Sequence, residues 1–229
     1  MFARGLFALI LTSALGLWAG AALARAPELS VNLGAASDYV YRGVSQTDGA
    51  PQAFAGADLE GDAWYAGAWA SNVDFGGGDP TSAEVDLYAG WRPEAFGLSW
   101  DVGAALYAYP DKPAGADYDY LEARLSAERE IGPATFGAAL AWAPAYFGGG
   151  EATYVEVVGG WEISDRLGLG GGVARQTVEG EDAYVVVNLG LTWSMTERVS
   201  LDLRGWAADA NDLGAAADPR VVVTLKAEF

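Results

Sequence analysis

Val185-Val186-Val187-Asn188-Leu189-Gly190-Leu191-Thr192-Trp193 alternates with a period of two. Val185, Val187, Leu189, Leu191 and Trp193 share one face, and Val186, Asn188, Gly190 and Thr192 share the other. Such a period belongs to an extended strand, because a helix returns to the same face every three or four residues. The next stretch repeats it. Val199, Leu201, Leu203, Gly205 and Ala207 alternate with Ser200, Asp202, Arg204 and Trp206. Val85–Trp91, Leu98–Ala108 and Leu121–Ala127 read the same way. In all, the pattern predicts twelve strands, at about 29–42, 52–60, 63–73, 83–92, 98–109, 117–129, 134–143, 152–163, 166–177, 183–194, 198–208 and 220–229.

The connections between them alternate in length. Gly61-Asp62, Pro93–Gly97, Glu130–Pro133, Ser164-Asp165 and Met195–Glu197 are tight, whereas Asp74–Ser82, Pro110–Ala116, Pro144–Glu151 and Asp209–Pro219 are long and rich in Gly, Asp and Pro. Short turns at one end and long loops at the other are the signature of an outer-membrane barrel. Strands of about ten residues are long enough to cross a bilayer when tilted. The expected fold is therefore all-β: a transmembrane, antiparallel, up-and-down barrel of about twelve strands over residues 25–229.

Charge decides which face meets which solvent. Acids and bases lie deep within the strands on the less apolar face, where a soluble barrel would place large apolar groups. The apolar face is then the outside, an arrangement that lipid stabilises and water does not. Each polar face looks inward, so the candidate pore-lining residues are Asp38, Arg42, Asp86, Arg92, Asp101, Glu122, Arg124, Glu156, Asp202, Arg204 and Lys226. Aromatic residues gather at strand ends. Trp64, Trp91, Trp161, Trp193 and Phe229 lie at the short-turn end; Tyr39, Tyr41, Tyr107, Tyr109, Tyr118, Trp142, Tyr154 and Tyr184 lie at the long-loop end. Both sets are expected to form girdles at the two membrane–water boundaries. In the last strand Val223, Leu225 and Phe229 share an apolar face. They resemble the C-terminal signal that the barrel-assembly machinery reads during insertion.

The N-terminus reads as a secretory signal over residues 1–24: Arg4 is the positive region, Leu6–Leu17 the apolar run, and Ala22-Leu23-Ala24 the cleavage site. Composition removes other classes. The 229 residues include no His and no Cys, so imidazole chemistry, disulfides and thiolate metal sites are absent, and no enzyme and no cofactor are expected. The 13 Lys and Arg against 31 Asp and Glu give a net charge of −18, which opposes nucleic-acid binding. The glycine runs 76–78, 148–150 and 170–172 are not followed by Lys-Ser or Lys-Thr and are not phosphate loops. Asp209-x-Asn211-x-x-Gly214 faintly echoes a calcium loop, but Leu213 and Arg220 occupy positions that need ligands.

Ser37-Asp38-Tyr39-Val40-Tyr41-Arg42-Gly43-Val44-Ser45-Gln46-Thr47 resembles the opening motif of the TorF-like porin family of proteobacteria. Trp69-Ala70-Ser71-Asn72-Val73-Asp74-Phe75 and Glu84-Val85-Asp86-Leu87-Tyr88-Ala89-Gly90 resemble it too, with weaker echoes at Tyr107–Asp111 and Tyr146-Phe147-Gly148. The resemblance spans residues 31–150 and is only architectural beyond. It implies an outer-membrane barrel with a pore role, but no particular solute. The expected activity is passive passage of small hydrophilic solutes or ions across the bacterial outer membrane, with modest cation selectivity. The expected partners are outer-membrane lipid, the assembly machinery and those solutes. Two alternatives stand beside it: a closed barrel with a structural or surface-interaction role, and a soluble periplasmic barrel binding an apolar ligand.

Overall fold

The computed structural model describes residues 26–229, so the signal expected over residues 1–24 lies outside the described residues. Twelve long strands form one closed, antiparallel sheet. They are β1 (Glu28–Ala36), β2 (Gln52–Glu60), β3 (Trp64–Asn72), β4 (Ala83–Trp91), β5 (Leu98–Ala108) and β6 (Tyr120–Ile131). The second half comprises β7 (Ala134–Ala143), β8 (Ala152–Ser164), β9 (Leu167–Val178), β10 (Tyr184–Ser194), β11 (Val199–Ala208) and β12 (Arg220–Glu228). Each strand pairs with its neighbours in sequence, and the barrel closes where Asn32–Ala36 of β1 meet Glu228–Thr224 of β12. Closure removes both free edges of the sheet, the arrangement that satisfies the strands' backbone without an outside partner.

The alternation decides the wall. Leu189, Leu203, Val157 and Val223 are among the large apolar side chains exposed on the outer face. At the short-turn end Trp64, Trp91, Trp161, Trp193 and Phe229 are all about half exposed and point outward, forming the expected girdle. The glycines of 170–172 lie inside β9, as expected from their place within a strand pattern.

Three expectations change. The first strand ends at Ala36 and not near residue 42. Tyr39 and Tyr41 keep the alternation going, but Asp38 turns the chain inward by accepting the hydroxyls of Ser45 (2.7 Å) and Thr47 (2.8 Å). A small hairpin follows, pairing Val40–Tyr41 with Val44–Ser45. Its tip, Arg42-Gly43, has φ of 50° and 81°. Two left-handed residues in succession make the tight turn favoured between antiparallel strands, and the arginine adopts that conformation at a cost of about 1–2 kcal/mol.

The sixth strand starts at Tyr120 and not near residue 117. Asp119 is held by the backbone N–H of Tyr109 (2.8 Å) and by Lys112 (2.6 Å), and Tyr118 donates to Asp79 (2.7 Å), which fixes both as loop residues. Third, the girdle expected at the long-loop end is mostly turned inside. Tyr39, Tyr107, Tyr109 and Tyr154 are buried, and Trp142 is the one of that set that faces out with a large exposed ring. The reason is parity: Tyr107 sits two residues from Ala105 on the inner face of β5, and Tyr154 two residues from Glu156 on the inner face of β8.

Candidate functional site

The interior divides into two halves. At the short-turn half the inner wall is cross-linked by charge. Arg92, just past the end of β4, bonds Glu60 and Asp101 at 3.2 Å each and lies 4.0 Å above the Tyr65 ring, whose hydroxyl donates to Asp101 (2.8 Å). Across the barrel Arg204 grips Asp202 through Nε (3.2 Å) and Nη2 (3.1 Å), and donates to Asn188 (2.7 Å) and the Gly170 carbonyl (3.2 Å). Asp202 also accepts from Thr192 (2.6 Å). Small residues make this room. A Cβ on Gly190 would stand 2.9 Å from the Arg204 guanidinium carbon, and one on Gly172 would stand 2.8 Å from Oε1 of Glu156. Lys226 pairs with Glu228 (3.3 Å) near the end of β12.

At the long-loop half the interior is filled. The hairpin enters from β1, and a cluster of Tyr39, Tyr107, Tyr109 and Tyr120 packs around it with Tyr41, Phe75, Tyr118, Tyr146 and Phe147. The Tyr107 and Tyr120 rings stack at 4.4 Å, as do those of Tyr118 and Phe147. Offset and edge-on aromatic pairs each add about 0.5–1.5 kcal/mol beyond the area they bury.

At the centre lies Arg42. Its Nη2 donates to Oε2 of Glu122 on β6 (2.6 Å), and its Nη1 to Oε1 of Gln176 on β9 (3.1 Å). Its guanidinium lies 4.4 Å from the Tyr154 ring centre, 4.8 Å from that of Tyr41 and 5.9 Å from that of Tyr146. Glu122 is 1% exposed and is also held by Arg124 (3.0 Å) and the Tyr107 hydroxyl (3.4 Å), which Arg124 itself contacts. A second latch sits at the base of the hairpin. Asp38 takes Arg220 of β12 at 2.6 Å, and Arg220 also donates to the carbonyls of Ala215, Ala216 and Asp218.

All eleven sequence-predicted residues face the barrel interior, but they do not form one lining. Asp86, Arg92, Asp101, Glu122, Arg124, Glu156, Asp202, Arg204 and Lys226 stand on the wall or at its end, with Asp86 opposite Tyr107 in the β4–β5 ladder. Asp38 and Arg42 stand on or beside the inner hairpin, which packs within the long-loop half. Sequence reading missed Gln176, Arg220, Asn188, Glu84 and Glu60. Arg220 shares the parity of Lys226, and Glu84 that of Asp86, so alternation alone could have found both. Gln176 acquires its role only from the hairpin that lands on it. Among the described residues no group of three or more Asp and Glu is placed to hold a metal ion.

The barrel is similar to solved porin structures. The KdgM porin in complex with disordered oligogalacturonate aligns with a TM-score of 0.63 at 6% identity, covering 87% of this chain and 99% of that one. The KdgM porin aligns at 0.61 and 7% identity with the same coverage. The NanC porin in its rhombohedral crystal form aligns at 0.58 and 9% identity, covering 88% and 99%. At such identities the likeness establishes the fold, a closed twelve-stranded porin-like barrel. No curated protein matches the chain. Residues 21–229 match the model of the family described as "Bacterial protein of unknown function (Gcw_chp)", and the chain belongs to that family.

Proposed function

We propose that this protein is a porin-like channel of the bacterial outer membrane, of the TorF-like kind, that passes small hydrophilic solutes or ions and prefers cations. The observation that carries the reading is the inversion of the barrel: an apolar outer wall bearing Leu189, Leu203 and Val157, and an inner wall bearing Arg92, Asp101, Asp202 and Arg204. That inversion suits lipid outside and water inside. Cation preference draws on the inward acids, to which Asp58, Glu60 and Glu84 add charge beyond those read from sequence. Charge rings at close range set the field that a passing ion meets. Transport here is passive and involves no enzymatic step. The chain would sit with both termini and its short turns on the periplasmic side. Val223, Leu225 and Phe229 are proposed as the element recognised by the assembly machinery.

Conductance across a planar bilayer under a salt gradient tests this. A reversal potential favouring cations is expected; an anion-favouring potential would overturn the preference, and correct insertion without conductance would overturn the channel. A second reading, a closed barrel with a structural or surface-interaction role, draws on the buried Arg42–Glu122 pair and predicts the non-conducting result. Heat-modifiable gel migration with outer-membrane fractionation tests the location; a soluble periplasmic fraction would refute it.

A further inference from the structure

The Arg42 side chain is handled as a bound ligand is handled. Its guanidinium meets a carboxylate 1% exposed and an amide oxygen on a residue also 1% exposed, each carried by a different wall strand and not by the hairpin itself. A planar fork reaching two acceptors at once is a geometry that guanidinium fills and an ammonium does not. Tyr154 from the wall and Tyr146 from the 144–151 loop supply ring faces to a cation already stripped of water. The tenant is held on a hairpin of two paired residues on each side, at a left-handed, non-glycine φ of 50°. The hairpin base is anchored separately, through Asp38 to Arg220, so the side chain can leave its pocket without the hairpin leaving the barrel.

We propose that Glu122, Gln176, Tyr146 and Tyr154 form a binding site for guanidinium-type organic cations, occupied in this state by the chain's own Arg42. The site goes beyond the channel reading and does not depend on it. A free guanidinium ligand competes with a tethered one whose effective concentration is on the order of millimolar. Removing the tether's head should therefore uncover affinity that the intact protein masks.

The probe is ethylguanidinium, titrated by calorimetry into the detergent-solubilised barrel, with heat-modifiable migration confirming that each variant is folded. R42A should bind the probe roughly tenfold or more tightly than the intact chain. R42A/E122Q should lose that binding, and the neutral isostere ethylurea should bind neither. If R42A does not fold, R42Q serves, because its neutral amide leaves Glu122 a donor while removing the tethered cation. Equal binding by the intact chain and the unmasked variant would overturn the site. So would binding that survives Glu122→Gln, or equal binding of ethylurea. Because the readout is binding and not passage, an insulating but probe-binding barrel would refute the channel while sustaining this site.

Discussion

The two halves of the barrel interior are built from different side chains for different ends. The short-turn half is glycine-spaced, and its ion pairs stay within one side of the wall: Arg204 with Asp202 two residues away, Arg92 with Asp101 and with Glu60 two strands off. Such pairs satisfy themselves at the wall. The long-loop half is tyrosine-filled, and its decisive contacts run from the hairpin to distant wall strands, Arg42 to Glu122 and Gln176, while Asp38 and Arg220 pin the hairpin base to the adjoining strand. A charge paired along the wall lines a space, whereas a charge paired across it closes one.

The contrast is broken most strongly by removing one arginine from each half. Arg42→Ala should raise single-channel conductance several-fold, while Arg204→Ala should leave it nearly unchanged apart from selectivity; equal effects in planar bilayers would erase the distinction. Stability should follow burial. Glu122→Ala strands Arg42 and Arg124 without their shared carboxylate and should cost about 3–5 kcal/mol in urea unfolding from liposomes. Asp202→Ala, whose side chain is 23% exposed, should cost about 1 kcal/mol. On the outer wall Leu189→Arg should cost about 2–4 kcal/mol, and a charge at inward Thr192 far less, which would sharpen the assignment of the two faces.

A smaller effect is expected at Gly190→Ala. The new methyl would displace the Arg204 guanidinium at about 1 kcal/mol, read as a shift in the same unfolding midpoint. The smallest lies in the outer loops. The Ser82 hydroxyl, helped by the backbone N–H groups of Ser82 and Ala83 against a slight burial penalty, holds the Asp111 carboxyl below the ordinary aspartate range. A carboxyl lowered in the folded state adds its stabilisation above its unfolded value and loses it as pH falls through the folded one. Amide exchange at Ser82 and Ala83 should therefore quicken only under strongly acidic conditions. Unchanged exchange there would remove this loop anchor.

The aromatic residues show how much could be read beforehand. Trp193 and Trp161 fall on the apolar parity of β10 and β8, and both point outward. Tyr107 and Tyr154 carry the opposite parity, that of Asp101 and Glu156, and both point inward. Their position near strand ends suggested a second girdle, but parity outranks position, because a strand cannot turn one side chain to the other face without a bulge. Residues 37–51 were harder. Their tyrosines extend the alternation of β1, and only the Asp38 hydroxyl contacts and the Arg42-Gly43 turn divert them.

The barrel is legible in the alternation of residues. Twelve alternating segments, short and long connections in turn, and charges on the inner parity are met together by a closed up-and-down barrel. Strand boundaries such as 52–60 and 134–143 follow directly, because local alternation and local breakers set them. What fills the barrel is set by contacts distant in the chain. Glu122 and Gln176 are 80 and 134 residues from Arg42 in the chain, and no local pattern encodes their meeting. Closure of the sheet curves β6 and β9 around one region of the interior, where a single arginine of the hairpin reaches both.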